Sequence, residues 1–286
     1  MAVIGIEIKF LLCLIKLLAY APIFLSFFRK PLWGDMIARN ETIVKYSACA
    51  EGVEFASIIN AKSDNDSVRE IRIWNEGKDT LLVEFYLPGI DSWDKALKIA
   101  KQEMVLVADR LCFEFDSPVT DIKLAGITLP QHQYSQRLRI LDGVKIHAKV
   151  EAKGKIIPGE SRVAKFKKKL EQPHSEADLV LRLYQLAFLQ EDALSQFMIL
   201  YHILLFLAGD KQKEVDSLIQ KFYPEVEVSI SPKDGKTQES IFTRLRNELA
   251  HNRPDVHLQI TIEKVRNMVD KLKGITKSAI SEKFDL

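Results

Sequence analysis

The apolar residues of this chain change their period partway along it, and that change constrains the fold more than any other feature. Up to about Ala152 they fall into short β-rich runs and strict alternation, whereas after Pro173 they recur at three and four. Segregated periods of this kind put a sheet and a set of helices in separate regions, an α+β organisation. In IRIWNEGKDTLLVEFYLPG, two runs of β-branched and aromatic residues flank Asn75-Glu76-Gly77-Lys78, which predicts a hairpin. From Ser92 to about Leu111 the recurrence of Trp93, Ala96, Leu97, Ala100, Met104 and Val107 predicts a helix, opened by an Asp91 or Ser92 cap. Strands then return, most clearly in VKIHAKVEAK (residues 144–153), where Val144, Ile146, Ala148, Val150 and Ala152 alternate with polar residues, His147 among them on an exposed basic face.

Residues 153–173 contain Gly154, Pro158, Gly159 and Pro173 among many lysines, which predicts a basic linker between a strand-rich domain (36–152) and a helical one (174–286). Residues 145–169 hold nine basic and two acidic side chains, a local net charge of +7. Such an excess attracts a phosphate backbone, and it equally suits a plain solvated linker. Beyond Pro173, SEADLVLRLYQLAFLQ opens with Ser175 as N-cap and Glu176 and Asp178 in the first turn. FMILYHILLFLA is apolar on all sides and too short to span a bilayer, so it reads as the central buried helix of a bundle, with His202 a core residue. Three more helices are expected over about 211–223, 237–252 and 261–280, with PEVEVSISPKDGK a loop or short extended excursion between the first two. The whole reads as a hydrophobic N-terminal helix, a strand-rich mixed domain and a C-terminal all-α bundle.

The first 35 residues stand apart. FLLCLIKLLAYAPIFLSFF (residues 10–28) carries one charge, Lys16, over nineteen positions, about the length of a membrane span. As an anchor, it would leave the body on the cytoplasmic side, because Arg29 and Lys30 follow it. Two other readings stay open: an over-extended start, with Met36 directly before the globular stretch, and an interfacial helix with Lys9 and Lys16 on one face.

Elsewhere the composition excludes more than it assigns. A formal net charge of +2 gives no whole-molecule argument for nucleic acid, and any such case is local. Cys13, Cys49 and Cys112 are widely spaced, which argues against a disulfide framework or a thiolate zinc site and suits a reducing, cytoplasmic compartment. There is no GxxxxGK[ST] or GxGxxG loop, no GxSxG elbow and no HExxH, so no cofactor or metal is called for.

One constellation carries chemistry. In ESIFTRLRNELAHNRP, Arg246, Asn247 and His251 form R-N-x-x-x-H in a helix that must end before Pro254. Phe242, Leu245 and Leu249 fall within roughly 60° and face a core, while Thr243, Arg246, Asn247, Ala250 and His251 share an arc of about 140° that a second surface can approach. A histidine moves a proton to or from a ribose 2′-OH, and an arginine stabilises charge on the phosphate, without a metal. The same spacing also fits an ordinary amphipathic helix with Arg246 in a salt bridge.

At these residues the sequence resembles the HEPN superfamily, the higher-eukaryote and prokaryote nucleotide-binding helical domains, whose signature is an Arg, often followed by Asn, and a His farther along one helix. The resemblance covers about residues 174–286; a second, to the methylamine-utilisation J-type proteins, rests only on the wording around the motif. The first implies an HEPN-like bundle and a metal-independent endoribonuclease, in some members a defence or toxin-like effector. Two bundles would form a homodimer whose shared cleft cleaves RNA by 2′-OH attack. His251 would then transfer the proton, Arg246 would contact the phosphate or transition state and Asn247 would position it. Other members of the superfamily do not cleave, which implies as the alternative a non-catalytic nucleic-acid-binding, nucleotide-binding or scaffold protein, tethered to a membrane if residues 10–28 insert.

Overall fold

The computed structural model describes residues 41–130, 157–173, 175–231, 235–251 and 257–286. The chain divides into two compact units, Met1–Asn40 and Glu41–Leu286. The first, with residues 10–28 and Met36, lies outside the described residues, as does the expected strand at 144–153 with His147. Among the described residues no single helix is long and apolar enough to cross a membrane.

Glu41–Leu286 is mixed α+β, with a five-stranded antiparallel sheet and, among the described residues, seven helices. The strands are β1 (Glu41–Ala50), β2 (Ile59–Ala61), β3 (Glu70–Asn75), β4 (Thr80–Pro88) and β5 (Val119–Thr128), in the order β2-β3-β4-β1-β5. Alternation works as elementary geometry requires: Thr42, Val44, Tyr46, Ala48 and Ala50 of β1 all point inward. The hairpin is the β3–β4 pair, joined through residues 76–79, where Gly77 takes φ 129° and Asp79 φ 59°. Asn75 closes it by accepting from Phe55 N (2.7 Å) and donating to Val53 O (2.9 Å). On the sheet's outer face cations lie over rings, Lys45 on Trp74 (4.7 Å) and Arg72 on Tyr86 (4.6 Å), covering apolar surface while their charges stay wet.

Helix α1 (Trp93–Phe115) is capped by Ser92 and packs on the other face. It runs past Leu111 because Phe115 extends the stripe on the sheet's core while Cys112 and Phe113 are buried in a second core, and it stops at Asp116 in the left-handed region (φ 53°). The stretch read as a basic linker holds α2 (Glu160–Leu170), since Val163, Phe166 and Leu170 set an apolar row among the lysines at i, i+3 and i+7. Phe166 is fully buried against the rings of Phe55 and Phe115.

A second core follows. It is built by α3 (Glu176–Phe188), α4 (Ala193–Leu207), α5 (Gln212–Phe222), α6 (Ile241–Ala250) and α7 (Leu258–Phe284), together with Cys112 and Phe113 of α1. Ser175 and Asp178 form a reciprocal capping box on α3. The region is not all-α, because β6 (Val228–Ile230) and β7 (Gln238–Ser240) pair as a two-stranded ribbon just before α6. Nor is α4 buried all round. Phe197, Leu200, Tyr201, Ile203 and Leu204 face the core, while Met198, Ile199 and Leu205 are half-buried and His202 and Phe206 are exposed. His202 is therefore a surface residue: apolar runs on both sides of it make the helix hydrophobic, but its neighbours cover only one side.

Candidate functional site

Helix α6 carries the motif. Its start is fixed by Ser240, whose hydroxyl accepts from Thr243 N (3.2 Å), and Phe242 and Leu245 anchor it in the second core. Thr243 and Asn247 face inward rather than toward an approaching surface, which corrects the expected arc. The Thr243 hydroxyl donates to Asp216 Oδ1 (2.6 Å), which also accepts from Ser240 N (3.0 Å), and Tyr201 OH lies 2.9 Å from Thr243 Oγ1. Burial pushes the Tyr201 phenol up to about 12; Asp216 reinforces the rise, and the Thr243 bond and Arg246 oppose it. Tyr201 is thus a neutral hydrogen-bonding group at any physiological pH, not a base.

Asn247 is 6% exposed and donates through Nδ2 to Glu239 Oε2 (3.2 Å), leaving its Oδ1 to accept from Arg246 (3.1 Å). Glu239 is 1% exposed, and its Oε1 has no hydrogen-bond partner among the described residues. A carboxylate this deep is costly unless a cation or donor stands near it; Asn247 is a donor to it, with Arg246 at the other end of the amide. Arg246 is half-buried and, among the described residues, enters no ion pair, whereas Arg244 binds Glu227 (3.2 Å) and reaches Glu248 (3.8 Å). The salt-bridged arginine of this helix is Arg244.

His251 does not sit in the last turn. The helix ends at Ala250, and His251 is its cap residue with extended backbone (φ −127°, ψ 124°), exposed, its N–H donating to Asn247 O (3.0 Å). Among the described residues no hydrogen bond or ion pair orients its ring. The structure therefore joins Arg246 to Asn247 by side chains and ties His251 to them only through the backbone.

Arg246 lines a cavity of ≈290 Å³ with Leu183, Met198, Ile199, Tyr201, His202 and Leu205. The cationic surface expected from the lysine-rich stretch lies elsewhere, in a cavity of ≈390 Å³ lined by Arg162, Lys165, Lys168 and Lys169 of α2 and Lys277 of α7. There Lys169 is held by Glu114 (2.6 Å) and Lys277 by Asp116 (2.6 Å). Asp216, Glu239 and Tyr201 carry no sequence signal for this site, because only the ribbon before α6 and the packing of α4 and α5 bring them beneath Arg246. His202 had one signal, an imidazole interrupting an apolar run. Compared with family models, curated proteins and solved structures, the chain finds no match.

Proposed function

We propose that the helical region is a metal-independent endoribonuclease of HEPN type, acting as a dimer. The observation that carries this reading is the orientation of the motif. Arg246, without an ion pair among the described residues, is held by Asn247, which is itself fixed on buried Glu239, while His251 stands exposed at the end of the same helix. An arginine aimed by a rigid amide is available to a phosphate, and an exposed histidine to a ribose hydroxyl. In the reaction His251 takes the proton of the 2′-OH and O2′ bonds to phosphorus as the P–O5′ bond breaks. The departing O5′ receives a proton from the second copy's corresponding imidazolium, giving a 2′,3′-cyclic phosphate and a 5′-hydroxyl. Arg246 stabilises the charge on the phosphate oxygens.

A second copy has a surface to meet. Leu179 and Leu186 on α3, about one turn either side of the cavity residue Leu183, and Phe206 on α4, next to the cavity residue Leu205, are 57%, 40% and 45% exposed, apolar side chains that suit self-association. The cationic α2 surface would hold flanking RNA backbone, and residues 10–28 would tether the protein to the cytoplasmic face of a membrane. In this arrangement the sheet region senses a trigger or recruits substrate.

The test is incubation of the purified protein with mixed RNA in EDTA. Loss of cleavage in His251→Ala and Arg246→Ala is the expected result, and equal RNA decay in all three proteins removes the nuclease. Leu179→Asp with Phe206→Asp should shift a sedimenting dimer to monomer and abolish cleavage. A non-catalytic RNA-binding protein is the second reading, favoured by the unbraced His251 ring; it requires RNA binding without decay. Extraction in alkaline carbonate tests the tether: release of the full-length chain into the soluble fraction ends that part of the reading.

A further inference from the structure

The outward side of α4 places Met198, His202 and Leu205 at i, i+4 and i+7, with Ile199 and Phe206 beside them. His202 is the only ionisable side chain on that side, since the one other in α4, Tyr201, is buried. An exposed imidazole set into apolar surface is unremarkable alone. Here it shares a cavity with Arg246, a half-buried guanidinium that meets no carboxylate ion-pair partner among the described residues. Among the described residues no carboxylate lines that cavity either. Its two groups able to carry positive charge therefore face an apolar wall, and buried Glu239 reaches Arg246 only through the Asn247 amide, which leaves the cavity side of the guanidinium open to an anion. Its ≈290 Å³ lies at the low end of small-ligand sites, which run to about 1,000 Å³. That suits one phosphate and one flat apolar group rather than a protein helix.

We propose that His202 is a substrate-contacting residue of the Arg246 site. Its imidazole and the Arg246 guanidinium together hold one phosphodiester of a single-stranded nucleic acid, with the adjoining base laid on Met198, Ile199 and Leu205. This deepens the ribonuclease reading and rests on it for the nature of the polymer, but the contact itself does not require cleavage.

The experiment measures binding and cleavage separately, in EDTA at pH 6.5. Binding is followed by fluorescence anisotropy with a labelled single-stranded oligonucleotide of 2′-deoxyriboses, which cannot be cut by 2′-OH attack. Cleavage uses the RNA of the same sequence. His202→Ala and Arg246→Ala should each weaken binding about tenfold or more, the scale of one lost charge-assisted hydrogen bond. His202→Gln, which keeps a donor, should fall between, and His257→Ala, at the exposed position preceding α7, should leave binding unchanged. His202 is exposed, so the variants should fold, and sedimentation velocity should show the wild-type oligomeric state. The inference is overturned if His202→Ala binds within twofold of wild type, if its loss accompanies a changed oligomeric state, or if the wild type binds no oligonucleotide. Wild-type binding that depends on His202 without RNA cleavage sinks the nuclease and leaves this contact standing. Wild-type cleavage and binding unaffected by His202→Ala does the reverse.

Discussion

Asn247 has one acceptor and one donor end, and the fold uses both. Because Glu239 takes the NH₂ end, the carbonyl end is left for Arg246. In the proposed ribonuclease the carboxylate thus acts at one remove, as a positioning residue. Glu239→Ala should lower cleavage by up to about 100-fold while preserving the fold. Glu239→Gln should restore most of it, because one amide oxygen suffices as the acceptor; a Gln variant as poor as Ala would show that charge, not orientation, is what matters. Asp109 offers a different test. It is 2% exposed, and burial lifts its carboxyl from the ordinary 3.8 to about 6, although Arg182 bonds both oxygens (2.7 and 2.9 Å) and opposes the rise. Between about pH 4 and 6 the folded protein keeps a proton the unfolded chain has released, so this group's contribution to stability falls as pH rises through that window. The loss is at most about 3 kcal/mol. Urea unfolding across the window should show that slope in the wild type and its absence in Asp109→Asn. Arg246, Asn247 and His251 were legible as a motif because spacing along one helix is a sequence property. Glu239, Asp216 and Tyr201 were not, since they reach the site only through tertiary packing.

Among the elements, α2 best shows how a charge run misleads. Its lysines dominate the composition, yet Val163, Phe166 and Leu170 decide its fate by docking on the first core. Removing the Phe166 ring should therefore cost about 3–5 kcal/mol, as for other buried aromatics. Denaturant unfolding of Phe166→Ala checks this, and a loss below about 1 kcal/mol would mean α2 is only loosely attached. Where the pattern was periodic and long, as in α1, α3 and the β3–β4 hairpin, the elements stand close to where the sequence puts them. The short extended excursion expected before 237 is β6, but the pattern failed where neighbours decide: β7 takes residues 238–240 from the helix expected to start at 237, and α4 hides only the face its partners cover.

At the scale of the whole chain, the described residues hold two hydrophobic cores and one helix common to both. Met104, Val107, Leu111 and Phe115 of α1 belong to the sheet's core; Cys112 and Phe113 belong to the helices' core. Arg110 adds a strap, donating to Leu170 O (3.1 Å) at the end of α2 and to Asp178 (3.1 Å) at the start of α3. Residues 41–286 should accordingly melt in one transition, with far-UV ellipticity and tryptophan fluorescence coincident; Trp74 and Trp93 both report on the sheet side. Two separated transitions would mean the cores are independent. Alternating residues of a single rod serving two rooms also sets a rule for signalling. Because that rod is unbroken from Trp93 to Phe115, a displacement of the rod itself carries Phe113 with it against Tyr184, whose rings meet at 5.4 Å. A tenant of the first room that shifts the rod is therefore felt in the second.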